Sequence, residues 1–238
     1  MKKTKEMQIT SCEQLVRICE SFGARYNPSN EAIKPTALSL LLEQAQQSVK
    51  AVTVAQQARI FAISDRVEAY AGIPKLATRI FHAMAASEAP EKTLEDAMQI
   101  RQTFKYRARK TKASPPENGT ESVKRSGNPA AQLNYEAKAK NFSRLIDCVK
   151  TMSSYAPVEP ELRVEALEAF EQKLVQLTKE VIRKGAAVTE ARIQRNGLLF
   201  GKNGVHGTAQ SVKHYVRSAF SHNSEEVTKV VSIPFSKR

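Results

Sequence analysis

The residues best suited to bind a ligand form a basic cluster in the middle of the chain. Its members are Lys105, Arg107, Arg109, Lys110, Lys112, Lys124 and Arg125, with Tyr106 among them. Lysine and arginine side chains in an extended segment attract nucleic-acid phosphates by releasing counterions, without needing a fixed geometry. Because no recognition helix, zinc finger or RNP-like aromatic strand accompanies them, we expect any such binding to ignore base sequence. The alternative is a solvated linker whose charge keeps the protein in solution.

Two further arginines, Arg66 and Arg195, occupy one position in two related helical segments. The apolar stripe through Val181 and Val188 continues to Arg195, and Arg66 follows by register. An arginine on an apolar stripe must extend to solvent or find an anionic partner. Two interpretations stay open: a structural ion pair with a nearby carboxylate, or a site for an anionic ligand inside each bundle. The candidate carboxylates are Asp65, Glu68 and Glu190.

No group of residues has the pattern of an enzyme, a metal site or a cofactor site. Residues 201–208 are glycine-rich, but they lack the G-x-x-x-x-G-K-[ST] order and follow no apolar strand, so we predict an ordinary loop between helices. The 4 histidines include no HExxH motif and no i, i+4 pair. No nucleophile, base and orienting group share a motif. We therefore predict a protein that is not an enzyme and uses neither cofactor nor metal.

The cysteines predict a reducing compartment. The chain has 3 cysteines, an odd number, and no two of them have C-x-x-C spacing: Cys12, Cys19 and Cys148. This pattern favours free thiols in the cytoplasm. The lysines at the start of the sequence are not followed by the apolar stretch of a secretory signal. The longest apolar runs are too short to cross a bilayer. We expect a cytoplasmic protein without membrane contact.

The candidate site residues belong to a sequence that contains an internal duplication. Residues 15–72 align without a gap to residues 144–201 at a spacing of 129, and 12 of the 58 pairs are identical, against roughly four expected from composition. The identical pairs include Cys19/Cys148, Tyr26/Tyr155, Pro28/Pro157, Arg66/Arg195 and Gly72/Gly201. We interpret the chain as two diverged copies of one unit.

Each copy shows the same order of helical signals, so we predict an all-α fold of two tandem bundle repeats. About four helices are expected in each repeat, one of them long and central, over 31–71 in the first copy and 159–200 in the second. The shorter helices are predicted at 11–24, 74–87 and 91–104, and at 136–153, 208–220 and 224–233. The predicted domains are repeat 1 at 11–105, a flexible basic linker at 106–134, and repeat 2 at 135–238.

Composition narrows the class of function. The chain has 238 residues, a formal net charge of +13, 41% hydrophobic residues and few helix breakers, with 9 glycines and 10 prolines. This composition excludes a disordered chain and argues against a many-turned β sandwich. The leading hypothesis is a non-enzymatic helical interaction or scaffold protein, with a protein partner or self-association. The alternative is a basic protein that binds nucleic acid non-specifically through the linker and the second repeat.

Overall fold

The computed structural model describes residues 5–105 and 130–235, and every regular element in those ranges is a helix. The α-helices are α1 (Lys5–Ser21), α2 (Pro35–Ala71), α3 (Ile73–Ala86), α4 (Glu91–Lys105), α5 (Ala130–Lys150), α6 (Val164–Phe200), α7 (Val205–Ala219) and α8 (Glu225–Ser232). Short 3-10 turns cover Gly23–Arg25, Glu31–Ile33 and Pro160–Leu162. The predicted all-α class is therefore confirmed.

Glycine and proline residues bound α2, but the two glycines within α6 do not end that helix. In α2, Pro35 occupies the first turn, where its missing N–H is not needed, and no glycine or proline follows until Gly72. In α6, Gly185 and Gly197 lie inside the helix without ending it. A mid-helix glycine weakens a helix by only about 1 kcal/mol relative to alanine, which packing of the flanking turns can offset.

Helices α7 and α8 begin in different ways. Ser224 caps α8, because its hydroxyl accepts a hydrogen bond from the Val227 N–H at 3.3 Å. The helix predicted to begin at residue 208 begins earlier, at Val205, after Gly204. Thr208 lies in its first turn, with its N–H bonded to the Gly204 carbonyl at 2.9 Å. No capping side chain marks this helix start in the sequence, since Gly204 has none.

The chain divides into two compact units, and each has its own core. The first unit comprises Met1–Arg59 with Lys184–Arg238, and the second is the continuous stretch Ile60–Arg183. The core of the first unit is formed by Cys12, Leu15, Val16, Cys19, Phe22, Tyr26, Ile33, Leu38 and Ala45 together with Leu199, Val205, Ala209, Val212, Val216, Val227, Val230 and Ile233. The core of the second unit joins α3, α4 and the end of α2 to α5 and the start of α6.

These units divide the chain differently from the predicted domains 11–105 and 135–238. Each core combines side chains from both predicted repeats, so neither repeat encloses a core by itself. Helix length supplies the physical reason. A helix of 37 residues is nearly twice as long as the longest of the other helices, which have 8 to 21 residues. The predicted linker also differs at its end, since α5 begins at Ala130, while 106–129 lie outside the described residues.

Equivalent tyrosines anchor the approach to each long helix. The buried Tyr26 hydroxyl donates to the Ile33 carbonyl at 2.8 Å, and the buried Tyr155 hydroxyl donates to the Leu162 carbonyl at 2.9 Å. Both bonds close a loop of the same length that ends in a 3-10 turn. Such a bond satisfies a buried carbonyl that no helix partner reaches. The tyrosines of the two Tyr-x-Pro sequences, at 26–28 and 155–157, thus have the same structural role.

Candidate functional site

The predicted basic cluster falls almost entirely outside the structure. Lys105 is the last residue of α4, and the other six members, Arg107, Arg109, Lys110, Lys112, Lys124 and Arg125, lie outside the described residues. Nucleic-acid contact through this cluster stays a prediction.

Arg195 is buried in the first unit. Only 7% of its surface is exposed, and its Nε and Nη2 donate to the Oδ1 of Asn196 at 3.3 and 3.0 Å. A guanidinium stays charged at any pH that proteins withstand, so burying it is unfavourable unless hydrogen bonds and negative charge compensate. The two bonds to Asn196 fix the plane of the guanidinium on the helix surface.

A polar pocket of about 400 Å³ surrounds Arg195. Its charged lining residues are Lys5 and Glu6 of α1 and Arg192 and Arg195 of α6. The neutral residues of the wall are Val49, Val52, Thr53, Gln56 and Asn196. Three cationic side chains against one carboxylate give the lining a net positive charge. Neutral amide and hydroxyl groups that can hydrogen-bond an anion lie beside them.

Arg66, the residue that the sequence pairs with Arg195, has a different neighbour. Its guanidinium carbon lies 4.1 Å from the centre of the Tyr135 ring, and that ring meets Tyr70 edge-on at 4.8 Å. Its Nε is buried, with no hydrogen-bond acceptor among the residues that the structure describes. The ring stabilises the cation through its negative face. The sequence interpretation missed this contact because Tyr135 lies just before the helix predicted at 136–153.

An apolar groove of about 510 Å³ crosses the first unit between α2 and α6. Its floor is made of the alanines Ala51, Ala55, Ala58 and Ala187, and the exposed Val54 also lines it. Gln47, Lys50 and Lys184 complete the lining. Alanines on facing helices let another backbone approach closely, and the lysine stems add apolar surface beneath their charged ends.

Large apolar side chains are exposed along both long helices. On α2 these are Leu40, Val54, Ile60, Phe61 and Val67, and on α6 they are Ile182 and Ile193. Val54 is 69% exposed and Phe61 60%. They follow each other at a spacing of seven, as do Ile60 and Val67, so each pair lies on one helix face. Single exposed apolar residues need no explanation, but paired ones on one helix face are typical of contact surfaces.

The thiols are poorly suited to chemistry. Cys12 and Cys19 are buried, and burial raises the pKa of each thiol to about 11. Cys148 is half-buried, and burial, followed by the nearby Asp96 carboxylate, raises its pKa. Because the thiolate is the reactive form, all three cysteines are weak nucleophiles at neutral pH.

Sequence reasoning overlooked Lys213, which has a structural task. This buried lysine on α7 donates to the carbonyls of Val231 at 3.1 Å and Ile233 at 2.5 Å, at the end of α8. Its ammonium group thereby satisfies carbonyls that the helix leaves unpaired. Lys213 lies four residues after the buried Ala209 and therefore on the same face of α7. Its charge, however, suggested that the side chain would be exposed.

The predicted loop at 201–208 joins α6 to α7 and continues into the first turn of α7. A Cβ added to Gly207 would overlap the Lys202 carbonyl oxygen, so the glycine permits a close backbone approach. Within 5–105 and 130–235, no cluster of histidine, cysteine, aspartate or glutamate could hold a metal ion. Among the same residues, no helix is long and apolar enough to cross a membrane.

Comparisons with known proteins give no relative of this chain. Searches against protein-family models, curated proteins and solved structures each found no match to this chain.

Proposed function

We propose that this chain is a non-enzymatic, all-helical interaction protein that docks a protein partner on its long helices. The observation that carries the proposal is the set of large apolar side chains exposed on α2 and α6, led by Val54 at 69% exposure. A chain with two well-formed cores has no folding reason to leave such residues in water as pairs that share a helix face. A cytoplasmic location, proposed from the cysteine pattern, completes this assignment.

The proposal includes a tandem duplication as the origin of the architecture. Helices α2 and α6 both contain 37 residues, and their bounds differ by the same 129 positions that align the sequence. The turns Glu31–Ile33 and Pro160–Leu162 keep that spacing, and so do the hydrogen bonds of Tyr26 and Tyr155. Equal spacing of helix ends, turns and a side-chain bond supports descent of both halves from one unit.

The groove of the first unit indicates the chemistry of the partner. An alanine floor with a protruding valine suits the apolar face of an amphipathic helix, which packs at close range on small residues. Lys50 and Lys184 line the same groove, so acidic residues beside the partner's apolar face would complement them. We therefore propose an amphipathic helix with acidic flanks as the occupant.

The test substitutes one exposed apolar residue and one exposed polar residue of the same helix. Val54→Asp places a charge in the lining of the groove, while Gln57→Asp places the same charge on an exposed position outside the lining residues. The tagged chain is incubated with a lysate of its source cells, and the retained protein is identified at moderate salt. We expect one helical partner that Val54→Asp loses at least tenfold and Gln57→Asp retains. Equal retention by both variants would contradict the proposal.

Non-specific nucleic-acid binding is the competing function, and salt separates the two. Fluorescence anisotropy with duplex and single-stranded DNA should show at most weak binding at moderate salt if the chain is an interaction protein. Tight binding that falls steeply with salt, and is lost when Lys105, Arg107, Arg109, Lys110 and Lys112 are all replaced by glutamine, would instead assign the function to the basic cluster. Loss of the protein partner in the same glutamine variant would also count against docking on the long helices.

A further inference from the structure

We propose that the polar pocket around Arg195 is a binding site for the dianionic phosphate of a small phosphate monoester. The pocket is formed within the first unit by α1, α2 and α6, and it is separate from the apolar groove proposed for a protein partner. The inference does not depend on that partner. It concerns a different ligand class and a different set of side chains.

Charge selects the ligand class. Lys5, Arg192 and Arg195 line a cavity of about 400 Å³, and among its described lining residues Glu6 supplies the one carboxylate. A phosphate monoester carries about 1.5 to 2 negative charges at neutral pH, which matches this excess, whereas a carboxylate or a phosphodiester carries only one. Arginine presents planar pairs of N–H groups that suit phosphate oxygens, and lysine adds a point charge.

Burial gives the pocket a defined geometry. Arg195 is 7% exposed, and its bonds to Asn196 Oδ1 hold the guanidinium in one orientation. Electrostatic attraction is stronger beside a buried group than at an open surface, because less water screens it. Arg192 is exposed and Lys5 half-buried, so both side chains can adjust to a ligand while Arg195 stays fixed.

Comparison of the two units shows that three polar positions of the pocket are particular to the first. This comparison uses the duplication proposed above, which pairs positions at a spacing of 129. Thr53, Arg192 and Asn196 of the pocket correspond to Ile182, Ile63 and Val67, while Val49 corresponds to the polar Thr178. The second unit keeps the arginine as Arg66, with the Tyr135 ring 4.1 Å from its guanidinium. At those three positions the second copy has apolar side chains where the first has hydrogen-bonding groups or charge.

The volume limits the size of the ligand. About 400 Å³ lies near the lower end of ligand pockets, which range from roughly 300 to 1,000 Å³. The side chains of Val49 and Val52 supply an apolar part of the wall. These dimensions fit a phosphate with a small organic group rather than a polymer that must continue through the site.

The experiment measures binding of methyl phosphate and dimethyl phosphate to the full chain by isothermal titration calorimetry. We expect methyl phosphate, a dianion, to bind at least tenfold more tightly than dimethyl phosphate, a monoanion. Arg192→Ala should weaken methyl phosphate about tenfold or more, since it removes a charged hydrogen-bond donor from an exposed position. Glu6→Gln should strengthen binding several-fold, because it removes the carboxylate that Glu6 contributes to the described lining of the pocket.

Arg183→Ala provides the matched control. Its side chain is 72% exposed in the second unit, outside the pocket, and its removal lowers the net charge of the chain by the same amount as Arg192→Ala. Circular dichroism of each variant verifies that the fold is retained. Three results would overturn the proposal. The first is an equal loss of methyl phosphate affinity in Arg183→Ala and Arg192→Ala. The others are equal affinity for the two phosphates and no gain of affinity in Glu6→Gln. Tighter binding of single-stranded DNA than of methyl phosphate would overturn it as well.

Discussion

Cutting the chain between α4 and α5 should leave its two halves bound to each other. The core of the first unit joins side chains from 5–59 to side chains from 184–235, and the second core joins α3 and α4 to α5 and α6. A break at 106–129 removes the covalent connection but none of these contacts. If each repeat enclosed its own core, the same cut would release two separately folded bundles.

The cores set the strength of the expected association. In the first unit, six large apolar side chains come from one half: Leu15, Val16, Phe22, Tyr26, Ile33 and Leu38. Seven come from the other half: Leu199, Val205, Val212, Val216, Val227, Val230 and Ile233. Full burial of each stabilises by about 1.5 to 3 kcal/mol. If separation re-exposes half of that surface, this unit alone loses about 10 to 20 kcal/mol.

The second unit contributes a loss of similar size, so the gross attraction is about 20 to 40 kcal/mol. Association of two free chains opposes this by about 4 to 15 kcal/mol. The middle of these ranges leaves about 20 kcal/mol, more than the roughly 12 kcal/mol of a nanomolar complex. The halves should therefore stay together at micromolar concentration after complete cleavage.

The assay inserts a specific protease site between Asn118 and Gly119, outside the described residues, and follows the products by two methods. Denaturing electrophoresis should show two fragments, while light scattering after gel filtration shows one species close to the 26.4 kDa of the intact chain. Urea unfolding of the cut protein should give one transition whose midpoint rises with protein concentration. Two separate helical fragments, each unfolding cooperatively at a concentration-independent midpoint, would refute the reasoning.

Four further predictions concern individual side chains. Tyr26→Phe and Tyr155→Phe should each lower the free energy of unfolding by at least about 1 kcal/mol in urea titrations, since each removes a buried hydrogen bond to a backbone carbonyl, and no loss in either variant would contradict this role. Stability should fall as pH rises from about 9 to 11, because the folded chain retains the Cys19 proton that the unfolded chain releases. Cys19→Ala should reduce that slope, by at most about 1.4 kcal/mol per pH unit, and an unchanged slope would assign it elsewhere. Cys148 should be the first thiol to react with Ellman's reagent at pH 8, since the other two are buried. Lys213→Met should cost about 1 to 3 kcal/mol in thermal unfolding, and a neutral result would show that its bonds to the end of α8 contribute nothing.

The sequence predicts the helices well because their boundaries are local properties. The uninterrupted run up to Ala71, the proline in the first turn of α3 and the Ser224 cap each act through the backbone of a few neighbouring residues. Amphipathic spacing then identifies the buried face of α1, where Leu15 and Cys19 are covered as expected. These features require no knowledge of distant parts of the chain.

The pairing of the helices could not be predicted in the same way. If the two halves descend from one unit, their helices carry similar apolar faces, so a face on α1 fits a partner from either half equally well. Side-chain pattern alone does not decide between them. The environment of Arg66 escaped prediction for a related reason: its aromatic neighbour Tyr135 lies 69 positions away, and only the fold brings the ring over the guanidinium. The pocket of Arg195 likewise needs α1, α2 and α6 together.

The composition of the first unit has a consequence for the newly made chain. Translation at about 5 to 20 residues per second separates the synthesis of α1 from that of α7 by on the order of 10 to 40 s. During that interval Leu15 and Val16 lack the α7 side chains that later cover them. The second unit, continuous over Ile60–Arg183, can complete its core earlier. Folding on the ribosome should therefore begin in the second unit, in the interior of the sequence. Until α7 is made, the apolar face of α1 stays exposed and available to chaperones.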